Sequence, residues 1–598
     1  MPSQNDYDVI IVGAGWYGLI AAYTYLELAP GTRLLIVDDG ESIGGVWNTE
    51  RIYPNLFAQV GHGLFEYSFY PMKKEGLTKD RYISGKTIHD YLQSFAEDFD
   101  LVRRIKLRTT VTDARNVDGS WILTLNGDDK TRISSTKLIV ASGVTSGPYV
   151  PDFPKDGFAK PIIHSGQIGT QIAHLTSPDV QRATVLGAAK SAYDTVFLLL
   201  KAGKSVDWII REDGSGPLAI MPPKLAGLVN TVDIMGTRAL ASFSPAILNT
   251  SGVWYKFLQK SSIGNSLTKM FWRSVTWMAE WQAGYSKSAN TEKLRPIPSG
   301  YGIFWANSGL GLASVPDFWK VVHAGDLTVH RTEISGFADH NKVILKNKDV
   351  LETDQVILCT GWTDNLGLFD ESTRVQWGLP SSADVGNEWE KLDAKADKIV
   401  LEKLPFLRKN APDTETPYSH TRPWRLYRRL VSPSMAAQGD RSAFFPGQIH
   451  SVYTPLVAEM QALWGVAYLL GRIDLPNQEE MEIEVATWCS WTKRRYLEQG
   501  RRHSYSIYDY LAYVDTLARD LGLNTSRKSN PFSEMFLPYR PQDWRGLIPE
   551  FLQAEKKKGI TGNEFKTLSS NGNLGNGKLA PCIEVEDLLN YMGKSKVT

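Results

Sequence analysis

The chain has 598 residues, 42% apolar and 22% charged, with 66 Lys plus Arg against 65 Asp plus Glu, a formal charge of +1. This length exceeds a single hydrophobic core and predicts roughly two to four structural units, while the balanced charge excludes the basic excess of a nucleic-acid binder. Three cysteines, Cys359, Cys489 and Cys582, share no C-x-x-C spacing, which excludes a redox dithiol, a disulfide framework and a cysteine zinc site and fits a reducing compartment. No metal site is expected. No leader-like segment precedes the first strand, no apolar run is long enough to span a bilayer, and Lys596-Val597-Thr598 is not a peroxisomal address, so a cytoplasmic location is expected.

In chain order, the first element is the β-branched run Asp8-Val9-Ile10-Ile11-Val12, which breaks into Gly13-Ala14-Gly15-Trp16-Tyr17-Gly18 and then into helix. Strand, Gly-x-Gly-x-x-Gly and helix form the dinucleotide fingerprint. Gly13 makes the tight turn, Gly15 admits a pyrophosphate at the helix N-terminus, and Gly18 lets helix and strand pack closely. A second strand-like run, Arg33 to Val37, ends at Asp38, where an acid can accept both ribose hydroxyls.

Next come Ile43-Gly44-Gly45-Val46-Trp47, then Tyr53-Pro54-Asn55-Leu56-Phe57-Ala58-Gln59, and Tyr67 to Met72. With these segments the sequence resembles the class B flavin-dependent monooxygenases, a family that includes N- and S-oxygenating flavin monooxygenases and Baeyer–Villiger enzymes. The resemblance implies FAD on the first fingerprint, with Trp16, Gly45 and Trp47 against the cofactor. A glycine pair followed by an aromatic residue lets a loop lie close to a flavin ring. It also implies that Gln59, which stands where relatives carry an asparagine, lies beside the flavin edge where oxygen reacts.

Residues 84–101 are amphipathic and predict a helix burying Tyr91, Leu92, Phe95 and Phe99. Strand-like segments follow at 105–112 and 121–125. Lys137 to Gly143 then resembles the segment with which such flavoproteins close their first nucleotide unit and cross to the second.

The second unit opens with Ala183 to Asp194, again strand, turn and helix, in which Gly187, Lys190 and Ser191 belong to the turn and helix start. Ala189 and Ala192 replace two glycines, so this fingerprint is degenerate. The following strand, Val206 to Ile210, ends at Arg211 where the first unit has Asp38. An arginine there suits a 2′-phosphate, which implies NADPH, and Lys190 could share that phosphate. Between the two fingerprints, Phe158 and His164 match the family, whereas Lys160 replaces a glycine and Ile168 an aromatic residue. His164 is expected to make hydrogen bonds that couple the two units.

Residues 214–300 carry Trp254, Phe271, Trp272, Trp277, Met278 and Trp281, with Phe271, Val275 and Met278 on one helical face and Trp277 and Trp281 adjoining it. Core packing is the default reading, followed by a lid over an apolar substrate and then by a helix lying on a membrane, since Lys256, Lys260, Lys269 and Arg273 border the segment. Val356 to Trp362 is read as the strand returning to the first unit, with Gly361 after it and Cys359 buried and inert. Gly447 and a helix from Val457 to Leu469 form the last flavin-side element. From Gln478 the charges Glu479, Glu480, Glu482, Glu484, Lys493, Arg494 and Arg495 predict a solvated helix face. Pro538 to Gly546 resembles the tail of fungal natural-product flavin monooxygenases, and Ser569 to Lys578 is a Gly/Asn/Ser-rich tail.

The fold class expected is α/β, with two Rossmann-like dinucleotide-binding domains and the NADPH domain inserted in the FAD domain. The boundaries are 1–155 and 351–477 for the FAD domain, 156–350 for the NADPH domain with a helical insertion at about 214–300, and 478–598 for a C-terminal extension. The resemblance implies an FAD- and NADPH-dependent monooxygenase that inserts one oxygen atom from O2 into a small, apolar or aromatic substrate through a flavin C4a-(hydro)peroxide. Two alternatives stand beside it. One is a Baeyer–Villiger outcome, with Arg295 or Arg441 as the assisting cation, and the other is a flavin-binding protein without catalysis.

Overall fold

The computed structural model describes residues 6–557 and 559, apart from 226–228, 383–386, 413–422 and 503–504, so Cys582 and the 569–578 tail lie outside the described residues. Tyr7–Val12 (β1) is the centre of a parallel sheet, and Val9, Ile10 and Ile11 are fully buried, as expected of a strand covered on both faces. It pairs in parallel with Leu34–Val37 (β2) on one side and Asp128–Val140 (β3) on the other, Val12 lying opposite both Val37 and Val140. Ser120–Leu125 and Val111–Val117 continue the sheet antiparallel, and Ala443–Phe444 returns to pair with Leu138 and Ile139.

Helix Trp16–Leu28 (α1) lies so close to β1 that a Cβ on Gly18 would stand 1.8 Å from the Gly13 carbonyl oxygen. Helix Gly85–Asp98 (α2) starts where the Ser84 hydroxyl accepts the Thr87 N–H at 3.1 Å, a cap that contributes about 1 kcal/mol. It buries Tyr91, Leu92 and Phe95, and Phe99 caps it half-buried.

The second sheet is wholly parallel. Its order is Ile162–His164, Gln355–Leu358 (β6), Arg182–Leu186 (β4), Ser205–Ile210 (β5) and Leu327–Arg331. Helix Lys190–Lys201 (α3) follows β4. Here one expectation needs correction. The sequence pattern assigns residues 351 onward to the first unit, yet β6 is hydrogen-bonded on both edges inside the second sheet, so the chain leaves that sheet only after Leu358. An apolar run followed by Thr-Gly reads the same in either sheet, which is why the boundary was misplaced.

The helical insertion is pinned at its base by Ala219–Met221 pairing with Leu310–Leu312, and its longest helix is Ser262–Ala283 (α4). Trp272, Val275 and Ala279 of α4 are buried in the same core as α1. Trp277 and Trp281 do not join them and are 66% and 75% exposed. At 100° per residue they stand opposite Val275 and Ala279, so the packing expected of them is withdrawn.

Thr454–Leu469 (α5) is buried from Pro455 to Leu469 and packs on α1. Gln478–Arg495 (α6) exposes Glu479, Glu480 and Lys493, but Arg495, placed in advance on a solvated face, is buried. Its guanidinium lies 3.7 Å over the Phe304 ring and donates to the Phe304 carbonyl at 3.0 Å. The reason is the partner element: α6 is covered on this side by the insertion, whose Pro245 carbonyl also accepts the Trp491 indole N–H at 2.7 Å. Arg238 ties the insertion to two later helices, Tyr510–Asp520 and Pro531–Phe536, through Asp515 at 2.5 Å and Glu534 at 2.6 Å.

Glu459 on α5 accepts the Ser68 N–H at 2.8 Å and the Ser68 hydroxyl at 2.7 Å, and burial pushes its carboxyl up from 4.5 to about 7 despite those bonds. The folded protein therefore holds this proton over a range where the unfolded chain has lost it. Stability from this group is full below pH 4.5 and falls as pH rises toward 7, by about 3 kcal/mol at most. Glu459→Gln cannot titrate, so its stability relative to the parent should rise across that window in urea melts. A difference that stays constant with pH would refute the assignment.

Candidate active site

Because β1, β2 and β3 end level, the residues that follow them meet at the carboxyl edge of the sheet, the crevice where open α/β sheets bind ligands. A cavity of about 1050 Å³ lies there, walled by Gly13, Gly15, Trp16, Asp38, Gly45, Trp47, Gly143 and Gly447. That places eight of the sequence-derived cofactor residues around one space. The Gly15 backbone faces the Gly44-Gly45 turn, and a Cβ on Gly15 would lie 3.6 Å from the Gly45 Cα, so the two backbones frame a slot at the α1 N-terminus. No side chain caps that helix start, whose free N–H groups and dipole suit a phosphate.

Asp38 is 9% exposed, and its carboxylate accepts the Ala14 N–H at 2.6 Å and the Gly40 N–H at 2.8 Å. Burial pushes its carboxyl up and the two amides pull it down. Each oxygen keeps a lone pair for a hydroxyl. Trp16 Nε1 and Ser142 Oγ, both on residues lining the cavity, are buried without a protein partner, and a dinucleotide rich in acceptors would satisfy them. These residues fit FAD.

A second, more apolar cavity of about 290 Å³ adjoins the first, and Trp47, Phe65, Ser451 and Thr454 line both. Thr454 is the first residue of α5, so that helix also directs its N-terminus at the common wall. Gln59, on the strand Phe57–Gly61, lines the smaller cavity. Its Oε1 accepts the Leu312 N–H at 2.6 Å, which leaves the Nε2 group as the donor end of the amide. Gly311 permits this approach, since a Cβ there would sit 2.8 Å from that oxygen.

Lys190 is the cation in this wall, and its ammonium bridges both Asp194 oxygens at 2.5 and 2.7 Å. Asp194 is held in turn by the Tyr53 hydroxyl at 3.3 Å, and the Asn55 amide donates to its carbonyl at 2.9 Å. The first unit thus grips the first turn of α3.

Gly18, Gly187, Ser191, Arg211 and Gly361 line neither cavity. Gly18 acts beneath the first through helix packing. Arg211 ends β5 half-exposed, 3.9 Å from Asp213. His164 accepts the Gly166 N–H at Nδ1, so its proton is on Nε2, which donates to the Gly361 carbonyl at 3.0 Å. Burial pushes this imidazole down, and the Trp362 ring packs edge-on against it at 4.7 Å. Cys359 is buried and its thiol is pushed up to about 12, as an inert cysteine should be. Arg295 pairs with Glu280 and Glu292, and Arg441 donates to the Ile473 carbonyl, both away from the two cavities. Neither lines the larger or the smaller cavity.

Sequence inspection missed Phe65, the Leu310–Leu312 strand and the pair Ile507-Tyr508, all lining the smaller cavity. Only the spacing of Lys190 and Asp194, four apart on one helix, carried a local signal.

Two nucleotide-type parallel sheets, the first with a dinucleotide-sized cavity at its carboxyl edge, define a two-domain α/β fold of the nucleotide-binding type. Residues 10–222 match the family described as pyridine nucleotide-disulphide oxidoreductase. The chain is 48% identical over 555 residues to the FAD-dependent monooxygenase DEP4 of Alternaria brassicicola, covering 92% of this chain and 95% of that one. It is 37% identical over 575 residues to the FAD-dependent monooxygenase rstn6 of Aspergillus nomiae, covering 93% and 99%. It belongs to this FAD-dependent monooxygenase family and is an enzyme. The fold is shared with cyclohexanone monooxygenase from Rhodococcus sp. Phi1, whose structure was solved bound to NADP+, at a TM-score of 0.58 and 15% identity over 86% of this chain and 97% of that one.

Proposed function

We propose that the larger cavity holds FAD, with its pyrophosphate between Gly15 and Gly45 and its ribose on Asp38, and that the smaller cavity holds a small apolar or aromatic substrate. FAD held there by Gly15, Gly45 and Asp38 would supply the redox chemistry of a monooxygenase, in which NADPH would be the reductant and O2 the source of the one oxygen atom added to substrate, the other leaving as water. The chain's own part is to orient and to keep dry: Trp47 and Phe65 close one side of the common wall, and Leu310, Leu312, Met221 and Val232 give the smaller space apolar sides. The observation that carries this reading is the wall shared by a dinucleotide-sized cavity and a compact apolar one.

Lys190 does not favour a Baeyer–Villiger outcome, because Asp194 already neutralises it. No helix among the described residues is long and apolar enough to cross a membrane. The test is anaerobic mixing with NADPH, which should bleach the bound flavin. A yellow colour that persists would mean a binding protein without catalysis.

Coenzyme choice rests on Arg211. A charge-assisted bond contributes about 1.5–3 kcal/mol, so Arg211→Ala should weaken NADPH roughly ten- to a hundredfold in reduction kinetics and leave NADH nearly unchanged. Equal losses for both coenzymes would remove Arg211 from the 2′-phosphate site.

A further inference from the structure

We propose that the outward face of α4 is a docking surface for an anionic lipid bilayer, which sets the apolar cavities behind that helix next to the lipid phase. Ile263, Met270, Trp277 and Trp281 are each between 61% and 75% exposed. They recur at i, i+7, i+14 and i+18, which puts them on one line about 27 Å long. Val253 and Trp254, just before the helix, are exposed as well. Scattered exposed apolar residues are ordinary, but an aligned row containing two tryptophans is the pattern of a helix lying in a membrane interface.

Charge selects the occupant. Lys256, Lys260, Lys269 and Arg273 are exposed within 252–283, where the single acid, Glu280, is bridged to Arg295 at 2.9 Å. A second copy docked through a twofold axis would bring this basic face against itself, whereas acidic headgroups complement it.

The inner side of the same helix explains what such docking would serve. Phe271, Trp272 and Val275 wall a small cavity of about 30 Å³, and Met221, Met235 and Tyr508 line both this space and the 290 Å³ cavity. One helix therefore separates the bilayer from the apolar cavities, and a substrate dissolved in lipid would reach the enzyme where it is concentrated. This last step rests on the proposed assignment of the smaller cavity to substrate. The docking itself does not, and it is measured without turnover.

The experiment is flotation of the flavin-loaded full chain with vesicles of phosphatidylcholine alone or with phosphatidylserine added, at low salt. The protein should float with the phosphatidylserine vesicles and stay behind with the neutral ones. Trp277→Asp/Trp281→Asp should lower the floating fraction at least tenfold. Lys269→Glu/Arg273→Glu should remove the preference for phosphatidylserine, with a loss of roughly tenfold or more. Flavin content and melting temperature equal to the parent show that both variants are folded. Flotation unchanged in the tryptophan pair, or no flotation of the parent chain, would overturn the proposal. So would a dimer in sedimentation analysis that the tryptophan substitutions dissolve, because a second copy would then cover this face.

Discussion

Gly15→Val should purify as a folded, colourless protein. A Cβ at Gly15 meets the Gly45 Cα at 3.6 Å, the Gly44 carbonyl oxygen at 3.7 Å and the Gly45 nitrogen at 3.8 Å, which are ordinary contacts, so the polypeptide accepts the substitution. The two added methyl groups would occupy the slot between the α1 N-terminus and the Gly44-Gly45 turn, where the pyrophosphate is proposed to lie. Overpacking of that kind costs about 1–3 kcal/mol and occasionally more, or up to roughly a hundredfold and beyond in FAD affinity. Gly18→Ala provides the contrast: its Cβ would overlap the Gly13 carbonyl, so it should lose the fold together with the cofactor. Circular dichroism and flavin absorbance of the two proteins separate these outcomes. A yellow Gly15→Val would show that the pyrophosphate lies elsewhere.

The second large effect is expected at Gln59. Gln59→Ala should still bind FAD and consume NADPH, but release hydrogen peroxide in place of oxygenated product. Losing a donor that acts on charge developing at the reacting oxygen costs about 2.7–4 kcal/mol, so product formed per NADPH should fall roughly a hundred- to a thousandfold. The same substitution also orphans the Leu312 N–H, which alone would loosen the wall by about 1–3 kcal/mol. Gln59→Glu distinguishes the two roles at pH 8, because a carboxylate keeps the acceptor for Leu312 and lacks the amide donor. If the glutamate variant uncouples like the alanine one, the donor matters; if it makes product normally, Gln59 is only a tether.

The nucleotide-binding part of this fold was legible because it is local. Gly13, Gly15, Asp38, Gly45 and Trp47 lie on short segments whose spacing is dictated by a strand, a turn and a helix start, and they line one cavity. The smaller cavity was not legible, because its wall is assembled from segments distant in sequence: Phe57–Val60, Leu310–Leu312 and Ile507-Tyr508 share no periodicity. Arg495 and Trp277 show the same limit from opposite directions. A charge at the end of a polar helix was read as solvated, and an indole in an aromatic-rich helix was read as packed. In both cases the neighbour that decides exposure comes from another part of the chain.

The contribution of Ile507 and Tyr508 to the smaller cavity has a consequence for synthesis. A ribosome must add about 200 further residues after Leu312 before Tyr508 exists, which takes roughly 10–40 s at usual elongation rates. While those residues are added, the first nucleotide sheet gains its Ala443–Phe444 strand and the larger cavity gains the last of its wall up to Thr454, yet the smaller cavity keeps an open side until Ile507 and Tyr508 emerge. The nascent enzyme can thus gain its colour before the smaller cavity closes, and the segment that closes it is the bend just ahead of helix Tyr510–Asp520.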